Sequence, residues 1–126
     1  MTNSEYKLIP LTKTQSIPIH WEFGQEDYDK LTKGYRSNWC VFLRDDVVHV
    51  CRVGGEEFYR FALSKVSGGT YVANTLETYV TDSFYTSAKQ RGWTRDEIEK
   101  HQTNFRKLAV EETAGLLATY FDMIKV

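Results

Sequence analysis

The sequence predicts an α+β fold: a four- to five-stranded antiparallel meander packed by a long C-terminal helix, with one or two short helices. Three observations predict it. Between Asn38 and Val80, runs rich in Val, Phe, Tyr, Trp and Thr are separated by the short turn signals Asp45-Asp46, Gly54-Gly55 and Gly68-Gly69, which is the pattern of half-buried strands joined by tight loops. Thr94 stands three residues before Glu97, the spacing of a helix-initiating capping box. Beyond it, Ile98, Phe105, Ala109, Leu116 and Met123 fall close to one line at helical periodicity, with Leu108 and Tyr120 beside them.

The elements follow in chain order. Residues 1–16 are polar and aperiodic around Pro10 and read as an irregular N-terminal segment. Ile17 to Phe23 supplies the optional fifth strand; Pro18 has no N–H for a ladder, which confines it to an edge. A short helix is expected over Gln25 to Lys33, with Glu26 and Asp27 early, Lys30 and Lys33 late and Gly34 as the stop, so that its charges complement the helix dipole. Tyr28 and Leu31 are its anchors. The meander occupies residues 36–80. A second short helix, capped by Thr81 or Asp82, carries Phe84, Tyr85 and Ala88 and stops at Gly92. The C-terminal helix is placed over residues 94–124. From Arg95 to Ile124 it is about 45 Å long at 1.5 Å per residue, against a width of roughly 35 Å for a compact domain of this length. It therefore either breaks, around Gln102 to Asn104 or at Gly115, or overhangs and meets another subunit.

The 126 residues make one domain's worth of chain, so residues 1–126 are read as a single domain. A formal net charge of −1 with mixed signs throughout gives no basic field for nucleic acid, and nucleic-acid partners are disfavoured. No apolar run approaches bilayer length and the start lacks a leader pattern, so a membrane role is not expected and the protein is placed in the cytoplasm. Two cysteines without CxxC spacing fit a reducing compartment. No Gly-rich phosphate loop, nucleophile elbow or HExxH is present, and no cofactor is expected.

Two-residue turns set a register. Across Asp45-Asp46, Leu43 faces Val48, Val41 faces Val50 and Trp39 faces Arg52; across Gly54-Gly55, Val50 faces Tyr59 and Val48 faces Phe61. Leu63, Leu76 and Val72 continue this apolar, core-facing surface. The opposite face carries Cys40, Phe42, His49, Cys51, Phe58, Arg60, Ala62, Thr75, Glu77 and Tyr79. It is too polar for a sealed core and too aromatic for a plain solvated surface, and a one-residue slip would exchange the two faces.

From Asp27 to about Tyr85 the chain resembles a family of small, uncharacterised bacterial proteins. The resemblance rests on Leu31-Thr32-Lys33-Gly34, on Asn38-Trp39-Cys40-Val41-Phe42 leading into Asp45-Asp46, and on Arg52, Gly55 and Tyr59-Arg60. Where that family has an Arg-Ser-Trp-Thr-Gly stretch, this chain has Arg52-Val53-Gly54-Gly55. The resemblance implies a small bacterial cytoplasmic domain and carries no chemistry.

Three constellations invite a chemical reading. His49, Arg60 and Glu77 form a row across three strands of the mixed face, similar to the sheet-borne sites of small ribonucleases. The plainer account is a cross-strand charge ladder, in which His49→Ala or Glu77→Ala costs under about 1 kcal/mol. Cys40, Cys51 and His49, with His20, supply zinc-type ligands, but the close ligand pairs of structural zinc sites are missing, and free, metal-less thiols are expected. Glu112 and His101 sit at the margin of the long helix's apolar stripe, where a buried Glu112 would be an acid-base candidate. The expectation is accordingly a non-enzymatic binding or interaction protein, of accessory, regulatory or immunity type. Its binding surface comprises Phe42, His49, Phe58, Arg60, Glu77 and Tyr79, and its partner is a protein or a second copy of the chain. The alternatives are a small hydrolase or ribonuclease using His49, Arg60 and Glu77, or a small-ligand binder.

Overall fold

The computed structural model describes residues 13–52, 57–79 and 87–123. Seven strands lie in one antiparallel sheet: β1 (Lys13–Gly24), β2 (Tyr35–Arg36), β3 (Trp39–Arg44), β4 (Val47–Arg52), β5 (Glu57–Ala62), β6 (Ser64–Ser67) and β7 (Thr70–Tyr79). Among the described residues two full helices accompany them, α1 (Gln25–Lys33) and α2 (Arg95–Phe121), besides a helical stretch at residues 87–90. The order across the sheet is β1-β7-β5-β4-β3-β2, with β6 pairing β7 beside β5. The α+β class is as expected, with more strands than the four or five predicted. β2 is only two residues long, and the third hairpin arm is split at Leu63. The Leu63 N–H carries the β4–β5 register one step further, donating to the carbonyl of Asp46 at 2.8 Å.

Residues 13–16, expected to be irregular, belong to β1, which pairs along the whole of β7. Polar residues conceal this strand because its first turns lie at an edge, where burial does not select apolar side chains. β1 carries a bulge between Pro18 and Trp21. Together with Pro18, the bulge blunts an otherwise long edge. β7 changes face near Asn74 and Thr75, both exposed. Tyr71 and Ala73 therefore join Leu76 in the core, whereas Val72, expected there, is only half-buried.

The first turn of the meander shows how the sequence builds the sheet. Asp45 and Asp46 both adopt positive φ, 53° and 61°, the left-handed pair that a twisted two-residue hairpin requires. Aspartate tolerates that region better than most residues. The turn is pinned from α1, where the Tyr28 hydroxyl donates to Asp46 Oδ1 at 2.7 Å. That bond, with burial and the Asp46 charge, pushes the Tyr28 phenol up to about 12. α1 itself spans the predicted residues. Its N-terminus is closed by the Asp27 carboxylate accepting from Gly24 N–H at 2.9 Å, and its C-terminus by Gly34 at φ 75°.

α2 runs unbroken through Gln102–Asn104 and Gly115, so the predicted break does not occur. The Thr94–Glu97 capping box starts it as expected, and Asp122 in a left-handed conformation ends it. Its 27 residues extend about 40 Å. Burial is concentrated in the second half, along Ala109, Thr113, Leu117 and Phe121. This stripe is rotated from the predicted one. Leu108, expected beside the core, is 51% exposed, and Thr113 replaces it among the fully buried positions. Sequence reasoning passes over a threonine at a core position because its hydroxyl argues for the surface. In the structure Thr113 Oγ1 is buried without a hydrogen-bond partner among the described residues. Thr113→Val removes that unmet group at nearly constant volume and is expected to raise stability by about 1 kcal/mol, read as an increased urea midpoint at unchanged slope.

Of the second predicted short helix, residues 81–86 lie outside the described residues, while residues 87–90 are helical. Gly92 at φ 89° terminates them. Its N–H bonds to Lys89 O at 3.0 Å, and Trp93 N–H bonds to Ala88 O at 3.0 Å, a paired closure typical of helix C-termini.

Candidate functional site

The mixed face divides into a covered half and an open half. On β3 and β4, Cys40, Phe42 and Cys51 form a buried cluster of their own, and His49 is 8% exposed. On β5 and β7, Ala62 and Thr75 are exposed and Arg60 and Glu77 are half-buried. The predicted pairings hold, with His49 opposite Arg60 and Arg60 opposite Glu77.

One irregularity alters the site. Past Val50, paired with Tyr59, the next pair is Cys51 with Glu57 and not Cys51 with Phe58. A bulge on β5 thus leaves Phe58 as the extra residue. Phe58, predicted for the mixed face, turns to the other side and packs edge-on against Trp39 at 5.6 Å. Glu57 takes the vacated place. Its carboxylate, buried at 5% exposure, bonds His49 Nδ1. Its other oxygen lies 3.9 Å from Arg60 Nη1, and Arg60 Nε donates to Glu77 Oε2 at 3.2 Å. The result is a chain His49–Glu57–Arg60–Glu77 that runs from buried to open ground, with Arg60 and Glu77 side chains 40% and 28% exposed.

Aromatic and cationic layers complete the buried end. The Phe42 ring stacks on His49 at 5.3 Å, and the Arg44 guanidinium lies over Phe42 at 5.1 Å. Sequence reasoning missed Glu57 and Arg44. Arg44 was legible in principle, because it shares strand parity with Cys40 and Phe42. Glu57 was not, because its place depends on the bulge. The Tyr79 side chain lies outside the described ones. His20 is exposed on β1 near Glu22, away from the thiols, and among the described residues no three His, Cys, Asp or Glu are gathered to hold a metal.

Cys40 and Cys51 sit opposite each other as free, buried thiols. Burial, with the Glu57 charge as a smaller contribution, pushes the Cys51 thiol from 9.0 up to about 12; burial likewise raises Cys40. A nucleophilic cysteine needs the opposite shift, so His49 and Glu57 do not activate a thiol. The native protein is expected to resist iodoacetamide at pH 8 and to react at both cysteines once unfolded, as mass spectrometry of the two samples shows. The pH dependence follows. A thiol whose folded pKa is raised stabilises the fold below its unfolded value near 9.0, and that contribution is lost as pH rises toward about 12.

Across the sheet, the buried Tyr59 hydroxyl donates to Glu112 Oε1 at 2.5 Å. Burial first and this bond second raise the Tyr59 phenol far above its usual range. Glu112 thereby serves as a tether between α2 and β5. His101 stacks on Phe105 at 6.2 Å and meets Trp93 edge-on at 5.6 Å, in a ladder of rings along the first half of α2.

Comparison of the chain with family models, curated proteins and solved structures finds no match.

Proposed function

We propose that this protein works by binding a partner and not by turning over a substrate. The observation that supports this most is the internal pairing of the row: Glu57 meets His49 and Arg60, and Arg60 meets Glu77. A catalytic site needs heads that converge on an accessible substrate. Here the histidine is buried beneath its own face and the arginine is held between two carboxylates. The part left for recognition is the open end of the row, Arg60 and Glu77, beside exposed Ala62 and Thr75. A protein surface of mixed charge fits it better than a polyanion. Two buried free thiols fit a reducing, cytoplasmic setting, and no helix among the described residues is long and apolar enough to cross a membrane.

A hydrolase remains the second reading, favoured by one geometric fact: a carboxylate on Nδ1 is the arrangement that orients a general-base histidine. Hydrolysis of mixed RNA at low salt decides between them, with the parent run beside His49→Ala and Arg60→Gln. The second variant changes a half-exposed residue and keeps the test valid if the first is poorly folded. The binding reading expects no turnover above the buffer blank. Turnover in the parent that both variants lose establishes the hydrolase instead.

Self-association through α2 belongs to the same proposal, supported by the unbroken helix and by exposed Leu108. Light scattering should show mass rising with concentration into the high micromolar range. A strict monomer throughout removes it.

A further inference from the structure

We propose that the cleft between the ends of α1 and α2 binds a small organic anion that carries a flat ring. The cleft lies apart from the charged row, and the proposal does not depend on the reading of that row. Gly34, at φ 75°, turns the chain sharply out of α1 into β2. Tyr35 is thereby brought onto the last turn of α2. Its ring stacks on Tyr120 at 4.3 Å and 15°, and meets Phe121 edge-on at 6.2 Å. Tyr35 nevertheless remains 38% exposed, with Val66 and Leu108 the other large apolar side chains so placed among the described residues. The cleft beside these rings is shallow and open to solvent, with a volume of about 390 Å³.

Charge selects the ligand. Lys30 and Lys33, from the last turn of α1, line the cleft together with Asp122 and the carbonyl end of α2, so two ammonium groups face one carboxylate and a helix C-terminus. Among the described residues, neither lysine has a carboxylate within ion-pair distance. Lys30 Nζ instead reaches the neutral carbonyl of Phe121 at 3.5 Å. Complementing the dipole of α1 accounts for positive charge in this turn. The same two amines also stand beside the stacked rings of Tyr35 and Tyr120. An anionic group gains charge-assisted hydrogen bonds from the lysines, while an attached ring extends the offset stack of Tyr35 and Tyr120. Neither a bare inorganic anion nor an uncharged ring uses both halves of the site.

The test titrates the full chain with phenyl phosphate, inorganic phosphate and phenol, followed by amide and aromatic NMR shifts. Phenyl phosphate is expected to saturate with a Kd of about 1 mM or tighter, at least about tenfold below either fragment. Its shifts should centre on Lys33, Tyr35 and Tyr120. Lys33→Gln and Lys30→Gln change exposed side chains and should each weaken phenyl phosphate by about three- to tenfold, whereas Lys89→Gln, at a separate surface, should leave it unchanged. Equal affinity for phenyl phosphate and inorganic phosphate, shifts centred elsewhere, or full affinity in Lys33→Gln overturns the proposal.

Discussion

His49→Ala is expected to destabilise the protein by about 3 kcal/mol, because it strips a buried carboxylate of its closest partner. The charge-ladder reading of the sequence allowed under about 1 kcal/mol for this substitution, a figure suited to an exposed row. The structure revises it. His49 is 8% exposed and Glu57 5%, so neither can recover its hydrogen bond from water. Arg60, at 3.9 Å, compensates only in part. The lower figure still applies at the open end. Glu77→Ala should cost under about 1 kcal/mol, since water reaches both Arg60 and Glu77. Urea unfolding of the two variants beside the parent measures the contrast, and equal small losses would place His49 in solvent-like surroundings.

Phe61→Ala should cost about 4 kcal/mol, within the range for deleting a buried aromatic ring. Phe61 is fully buried and joins the sheet's edge to its centre. Its ring stacks on Phe23 at 5.9 Å and receives Trp21 edge-on at 5.3 Å, both from β1. Its own strand pairs β4 through Val48 and β7 through Leu76. Removing the ring leaves a cavity that Trp21, half-exposed, can only partly fill. Loss of β1 from the cooperative unit should also appear, as faster hydrogen exchange from Ile17 to Phe23 than elsewhere in the sheet. A uniform increase in exchange instead of a local one would show β1 to be held independently of Phe61.

Where turn chemistry is strong, the sequence was a reliable guide to the sheet. Asp45-Asp46 sets all six pairs of β3 with β4, and α1 begins and ends on its predicted residues. The C-terminal helix was legible from its capping box, and Ala109 and Met123 of its predicted stripe are buried, but the stripe extends to Thr113, Leu117 and Phe121 on one side and not to Leu108 on the other. Leu108 was placed beside the stripe, and Thr113 was not assigned to it. Only packing against a particular sheet decides which edge of a broad stripe is buried. The candidate site was legible as a row and illegible as a network. His49, Arg60 and Glu77 follow from counting residues away from turns, whereas the β5 bulge exchanges Phe58 for Glu57 without a glycine to mark it. That bulge follows residues 53–56, which lie outside the described ones. The exchange takes an aromatic ring off the mixed face and sets a buried carboxylate between His49 and Arg60.

The coupling between His49 and Glu57 tests this account most directly. A double-mutant cycle built from His49→Leu, Glu57→Leu and the double variant, read by urea unfolding, isolates the pair from the packing changes each leucine brings. The double variant should be more stable than the sum of the two losses allows, with an interaction energy of about 1–3 kcal/mol, because neither variant group is left buried opposite an unmet charge. Additivity within about 0.5 kcal/mol would contradict it, showing that Glu57 does not occupy the place beside His49 that the bulge assigns and that the histidine is free for other chemistry.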